Sequence, residues 1–271
     1  MAFTLSHMAA ALPFYCWRKW ISFEALLLGT MLPDLPYFLN SSQALSELSH
    51  SWYGLLSYCL PWGLGIFALW YLLLKPAAFA LVQPWWASTT LAPPHKFQQW
   101  MKFSIRVILG LLLGATTHII WDGITHSDGF IAQHFVWLQL PVNIDSFISM
   151  SLARLLQYGS SLMGLGLLGW FFQAKLKKMT RQKSALVHLP IIKLKLWHSL
   201  VIILIVCIGS LFCGLQAMLK WHSLIMTNTY LFLARVLLEM LQSAVALFIV
   251  YAVIYQVLYW CCHAKSHYLN K

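Results

Sequence analysis

The chain has 271 residues, with 18 Lys and Arg against 7 Asp and Glu, a formal net charge of +11. It is 60% hydrophobic and only 9% charged, with a mean hydropathy of +0.71, whereas soluble domains carry about 25% charged residues. That composition excludes an ordinary soluble domain. Because the cations sit at the ends of apolar segments, the basic excess reads as membrane topology and headgroup contact, not nucleic-acid binding.

In chain order, residues 2–17 are apolar but short for a span. Residues 21–39 are apolar but interrupted by Glu24, Pro33, Asp34 and Pro36. These two stretches fit a tight hairpin, a re-entrant pair or helices lying on the membrane. Five later segments, 52–74, 103–121, 152–174, 197–219 and 231–260, each reach the length of about 20 apolar residues that a bilayer-crossing helix needs. The expected fold is all-α, a polytopic transmembrane bundle with about five to seven membrane-embedded helices. It is read as a single structural unit, with the motifs in 1–150 and further transmembrane helices in 151–271. The six cysteines contain no Cys-x-x-Cys pair and read as small packing residues. Arg18-Lys19 follows the first apolar stretch instead of preceding it, so a cleavable signal peptide is not expected.

Charge orients the bundle. The connection 175–196 holds Lys175, Lys177, Lys178, Arg181, Lys183, Lys193 and Lys195, and the connection 75–102 holds Lys75, Lys96 and Lys102. Both are expected in the cytoplasm, with Lys265 and Lys271 placing the C-terminus there too. Residues 40–51 and 122–150 contain no Lys or Arg and are expected outside.

The chemistry-bearing stretch is Gly114-Ala-Thr-Thr-His-Ile-Ile-Trp-Asp-Gly-Ile-Thr-His-Ser-Asp-Gly129. His118, Asp122 and His126 recur every four residues, and on a helix each such step turns the side chain by only about 40°. Imidazole and carboxylate at that spacing can hold a divalent metal. The orientation brings His50 and Asp34, and less directly His7, to the same outer face. The candidate metal ligands are therefore His7, Asp34, His50, His118, Asp122 and His126, serving one ion, or two bridged by a carboxylate. Zinc is the favoured ion. Asp122 or Asp34 is the candidate catalytic base.

Each residue also has a bland reading. His95, His188, His198, His222, His263 and His267 read as interfacial hydrogen-bonders. Pro33 and Pro36 can be a helix break, and Asp128 can cap a turn before Gly129. Glu24 can pair with Arg18 or Lys19. Glu239 and Arg235, four apart, read as a structural pair. Trp52, Tyr53, Trp121 and Trp137 belong to an interfacial belt or line a substrate groove.

Phe3-Thr-Leu-Ser-His7, Leu32-Pro-Asp-Leu-Pro-Tyr-Phe38, Ser49-His-Ser-Trp-Tyr-Gly54 and the Gly114–Gly129 stretch together resemble a bacterial membrane family, domain of unknown function 4184. The resemblance implies a multi-pass protein of the bacterial inner membrane and no established activity. A more distant similarity, to membrane-bound metal-dependent hydrolases and to the zinc phospholipase C and P1-type nuclease group, lies in the order His, Pro-Asp, His, His-x-x-x-Asp. It implies that His7 and Asp34 are early ligands, His50 a middle one, His118 with Asp122 the helical pair and His126 a later one. Those soluble enzymes have a further His-x-x-x-Glu pair. Here Glu239 is the only acid after Asp145 and Arg235 stands four residues before it, which argues against a trinuclear site.

Three functions follow. The first is a metal-dependent hydrolase acting on a lipid-like phosphoester at the outer face, with membrane lipids as its surroundings and no nucleic-acid partner. The second is a non-catalytic membrane protein with a structural polar or metal cluster. The third is an ion-coupled transporter.

Overall fold

A computed structural model describes the chain over residues 4–82, 96–145, 148–181 and 194–269, with side chains over 4–82, 96–143, 149–175 and 194–262. It opens with a 3-10 helix, Thr4–Trp17, followed by three short helices, α1 (Phe23–Gly29), α2 (Leu35–Phe38) and α3 (Gln43–Ser49). A continuous helical stretch, Leu55–Val82, contains α4 (Leu60–Leu69) and α5 (Lys75–Val82), with π-helical turns at Leu55–Cys59 and Trp70–Leu74. Then come α6 (Phe97–Thr125), α7 (Val136–Gln139), strands β1 (Pro141–Asp145) and β2 (Ile148–Ser151), α8 (Leu152–Arg181), α9 (Leu196–Lys220) and α10 (Thr229–Leu269).

The all-α expectation agrees with this architecture apart from one hairpin. Strands β1 and β2 pair antiparallel, with Pro141 opposite Ser151 and Val142 opposite Met150. They occupy part of the 122–150 connection, where only a loop was expected.

Among the described residues, four helices are long and apolar enough to cross a membrane: Leu55–Val82, Phe97–Thr125, Leu196–Lys220 and Thr229–Cys262. They coincide with four of the five expected spans. The fifth, 152–174, is helical as part of α8 but less apolar than the others. Its sequence explains this: Gln157, Gly159, Ser160, Ser161, Gly164, Gly166 and Gly169 dilute the leucines. The two early stretches form the 3-10 helix and α1 to α2, none of which reaches spanning length. Much of the basic connections 75–102 and 175–196, Lys271, and the side chains of His95, His188, His263, Lys265 and His267 lie outside the described residues.

The chain divides into two compact units, Met1–Phe67 with Pro93–Lys175, and Ala68–Ala92 with Leu176–Lys271. In the second unit α9 packs on α10 through Ala217, Phe232 and Val236. Ala77 and Ala80 meet Ala252 and Tyr255, and the Tyr251 hydroxyl donates to the Ala77 carbonyl at 3.1 Å. Glu239 accepts hydrogen bonds from Lys220 (2.9 Å) and from the Trp221 indole (2.8 Å), while Arg235 lies over the Trp221 ring. The i,i+4 spacing of Arg235 and Glu239 thus marks one corner of a larger polar junction at the α9–α10 turn. Leu200, Leu204, Ile208 and Leu211 of α9 point outward, an apolar surface that a bilayer would cover.

In the first unit the central contact is α1 against α6. Gly110 and Gly114, four residues apart on α6, leave a flat strip. A Cβ added at Gly114 would lie 2.3 Å from the Leu26 carbonyl oxygen, and one at Gly110 would lie 2.7 Å from that of Ser22. Only hydrogen at these positions allows the two backbones to come so close, as in membrane helix pairs built on small residues. His118 is the next residue along the same strip, so the approach that seats α1 also delivers its C-terminus to that imidazole.

Candidate metal centre

Four segments converge on the end of α6. His118 lies on the α1-facing strip and is fully buried. Its Nδ1 is 2.7 Å from the carbonyl oxygen of Thr30, the residue capping α1. The carbonyl can only accept, so the proton resides on Nδ1 and the Nε2 lone pair faces the cluster. Asp34 caps α2, between Pro33 and Pro36. Its Oδ2 accepts the Thr4 hydroxyl at 2.7 Å, which ties the 3-10 helix to α2. His50 caps the C-terminus of α3, and its Nδ1 donates to the Ser46 carbonyl at 2.8 Å, again leaving Nε2 toward the cluster. Ser49 fastens α3 to the Asp34 turn by donating to the Pro33 carbonyl at 2.7 Å. Metal-ligating histidines commonly fix their free nitrogen in this way on a backbone carbonyl.

Asp122, one turn beyond His118, lies at the centre. Its Oδ2 is 3.2 Å from His118 Nε2 and 3.6 Å from His50 Nε2, and its Oδ1 is 3.4 Å from His7 Nε2 and 3.5 Å from His126 Nδ1. Asp34 Oδ1 is 3.5 Å from His50 Nε2 and 3.7 Å from His118 Nε2. Charge-assisted N–H···O bonds run about 2.7–2.9 Å, so these separations are long for direct bonding. They match the spacing of donors around one tetrahedral ion, about 3.3–3.5 Å for metal–ligand bonds near 2.0–2.1 Å. Asp34, His50, His118 and Asp122 offer donor atoms all within 4.8 Å of one another and could hold a metal ion. Two imidazole nitrogens with two carboxylate oxygens favour a transition-series ion or zinc over the all-oxygen shells of calcium and magnesium.

His7 stacks on His118, with ring centroids 4.0 Å apart. Its place depends on α8, where Gly164 lies against the Ser6 carbonyl at a distance a Cβ would reduce to 2.9 Å. His126 is the C-cap of α6, extended at φ −98°, ψ 138°. The helix therefore ends one residue before the third member of the stripe, yet the side chain still turns back to Asp122. Gly123 makes room for that exit, since Ile131 and Ala132 both donate to its carbonyl and a Cβ there would strike the Phe130 ring. Several buried polar atoms have no hydrogen-bond partner: His118 Nε2, Asp122 Oδ1, His126 Nδ1 and His7 Nδ1.

Burial alone lowers the His7 pKa, and the neighbouring His118 lowers it further, against Asp122 and Asp34, to about 4. For Asp34, burial works upward, but His118, the contact with His50 and the nearby His7 outweigh it and bring the carboxyl down to about 2. Burial works downward on His50, and its contacts with Asp122 and Asp34 overcome that, raising it to about 10.

All six expected ligands are thus brought together. Sequence reasoning missed Gln157, whose side-chain amide lies 2.8 Å from His126 Nε2. A glutamine within the apolar run 152–174 was the available signal. It also missed the carbonyls of Thr30 and Ser46. His134 is exposed and bonded to the Phe130 carbonyl, away from the cluster. A cleft of about 360 Å³ opens over the cluster, with Tyr37, Glu47, Asp128 and Phe130 among its further lining residues. Trp52, Tyr53, Trp121 and Trp137 do not line it, although Trp52 packs against Phe130.

Fold and site together give a helical protein with four helices long and apolar enough to cross a membrane and a His/Asp cluster that could hold a metal ion. The chain belongs to the family described as domain of unknown function (DUF4184), whose model matches residues 1–260. No curated protein and no solved structure matches it.

Proposed function

We propose that the protein is a membrane-embedded, metal-dependent hydrolase acting on a phosphoester, with its cleft at the outer face of the bacterial inner membrane and its C-terminus in the cytoplasm. The observation that carries this reading is the convergence of His50 Nε2, His118 Nε2, Asp34 and Asp122 with donor separations of 3.2–3.7 Å, at the floor of an open cleft. A structural ion is normally closed in by its ligands, whereas a catalytic one keeps a position open. A divalent ion, zinc by preference, would supply Lewis acidity toward a phosphoryl oxygen and a nucleophilic water.

The protein's own groups have distinct parts in this reading. The Thr30 and Ser46 carbonyls hold His118 and His50 in the tautomer that presents Nε2. Asp34 is better placed than Asp122 to accept the water's proton, because its Oδ2 accepts a neutral hydroxyl, that of Thr4, while both oxygens of Asp122 face imidazoles. The cleft is near the small end of ligand pockets, which span about 300–1,000 Å³. It suits a phosphate headgroup with the apolar remainder of the substrate left in the bilayer. The outer-face placement rests on the absence of Lys and Arg from 40–51 and 122–150.

A structural role is the second reading, favoured by the fact that the cluster ties the 3-10 helix, α2, α3 and α6 into one knot. Assays of the purified protein on phospholipids and isoprenyl phosphates separate the two. Turnover that is lost on chelation and restored by added zinc supports the hydrolase. A metal-loaded, folded protein inert on every lipid phosphate leaves the structural reading.

A further inference from the structure

We propose that the site is binuclear, with Asp122 bridging two divalent cations through its two oxygens. The proposal rests on the metal-centre reading for the first ion, at Asp34, His50, His118 and Asp122 Oδ2. The second ion lies on the Oδ1 side, with His7 Nε2 and His126 Nδ1 as its imidazole donors.

The geometry divides the imidazoles without overlap. His50 and His118 face Oδ2 at 3.6 and 3.2 Å, and His7 and His126 face Oδ1 at 3.4 and 3.5 Å. Asp34, His50, His118 and Asp122 already offer one ion four donors, a full tetrahedral set, which leaves His7 and His126 on the other oxygen for a second. A carboxylate spanning two metals places them about 3.5–4 Å apart, the separation of two-metal phosphoesterase sites. Three of the atoms involved, His118 Nε2 on the first side and Asp122 Oδ1 and His126 Nδ1 on the second, are buried without a hydrogen-bond partner. Buried polar atoms are rarely left so, because each has given up its water without a replacement partner.

Gln157 stands on the second side. Its side-chain nitrogen lies 2.8 Å from His126 Nε2, reaching over from near the start of α8, and the residue is buried. The atom at 2.8 Å is the amide nitrogen, a donor; turning the amide end for end puts its oxygen there instead, which fixes the proton on His126 Nε2 and frees the Nδ1 lone pair for the ion. This repeats for His126 what the Thr30 and Ser46 carbonyls do for His118 and His50.

The charge of the cleft argues the same way. Asp34, Glu47, Asp122 and Asp128 line it, and no Lys or Arg is among its lining residues. One divalent ion leaves that wall negative and repels a phosphate, whereas two balance the four carboxylates. The substrate class that fits is an anionic phosphoester whose attacking and leaving oxygens each meet a cation.

The test is titration of the detergent-solubilised full chain with Mn(II) and with Co(II), read by bound-metal analysis and electron paramagnetic resonance. Wild type is expected to bind two equivalents, with a Mn(II) spectrum showing exchange coupling. His126→Ala should bind one equivalent with an isolated-ion spectrum. Gln157→Leu, which removes only the orienting amide, should weaken the second equivalent by about 10–100-fold and leave the first unchanged. A single equivalent in wild type, retained in His126→Ala and uncoupled, overturns the second ion while the mononuclear reading stands. No bound metal in folded wild type overturns both.

Discussion

Asp122 is the residue on which the cluster turns, since four imidazoles face its two oxygens and nothing else holds them in common. Asp122→Asn keeps the size but replaces one anionic oxygen by an amide that repels a cation. We expect it to lower metal affinity by at least about 100-fold, read by equilibrium titration, while the helical circular dichroism persists. His50 adds a pH dependence. In the metal-free cluster its proton is held to about pH 10 by Asp122 and Asp34, so an ion must expel that proton to bind. Affinity therefore rises with pH and falls as pH drops, by about tenfold per unit for each proton released. Dissociation constants measured at about pH 6 and about pH 8 should differ in that direction; equal values would show that His50 is not a ligand. At this scale the sequence was legible where the helix period does the work. His118 and Asp122 share a face because they are four apart, and both meet the site. Thr30 and Ser46 were not legible, because their contribution is a backbone carbonyl, which every residue carries.

At the scale of elements, the metal centre depends on a helix pair that never touches the ion. Gly110 and Gly114 bring α1 onto α6, and the same seating puts the Thr30 carbonyl 2.7 Å from His118. Gly114→Ala places a methyl 2.3 Å from the Leu26 carbonyl oxygen and 2.7 Å from the Thr30 nitrogen, both rigid backbone. It should destabilise by about 1–3 kcal/mol and weaken metal binding although position 114 is not a ligand. Thermal melts and metal titration of the one variant check both effects, and a stable variant with intact metal affinity would break the link. The Gly-x-x-x-Gly spacing and its continuation to His118 stood in the sequence, but its partner did not, because α1 is only seven residues long. His126 illustrates the opposite case. Its four-residue spacing is that of a helix, but Gly123 precedes it, and the helix stops at Thr125, so that His126 reaches Asp122 from an extended cap.

At the scale of the whole molecule, composition made the four long apolar helices legible, each long and apolar enough to cross a membrane. The hydropathy of 152–174 led to a fifth expected span; α8 is helical throughout it, and among its small and polar residues Gly164 meets Ser6 of the 3-10 helix and Gln157 meets His126. The orientation of the bundle is tested by cysteine accessibility, with single cysteines at Ser127 and Thr180 in a background cleared of the native six. They should label from opposite sides of the membrane, and labelling from the same side would overturn the charge argument. Metal should also hold the knot of segments together. Chelation is expected to lower the melting temperature and added zinc to restore it, with stabilisation approaching about 2.7 kcal/mol at a free ion concentration one hundred times the dissociation constant. The most direct test of the metal centre is elemental analysis of the purified, folded protein beside His118→Ala and Asp122→Asn. Stoichiometric divalent metal in wild type, lost from both variants, is the predicted result; a folded wild type that holds none under metal-replete conditions would contradict the account.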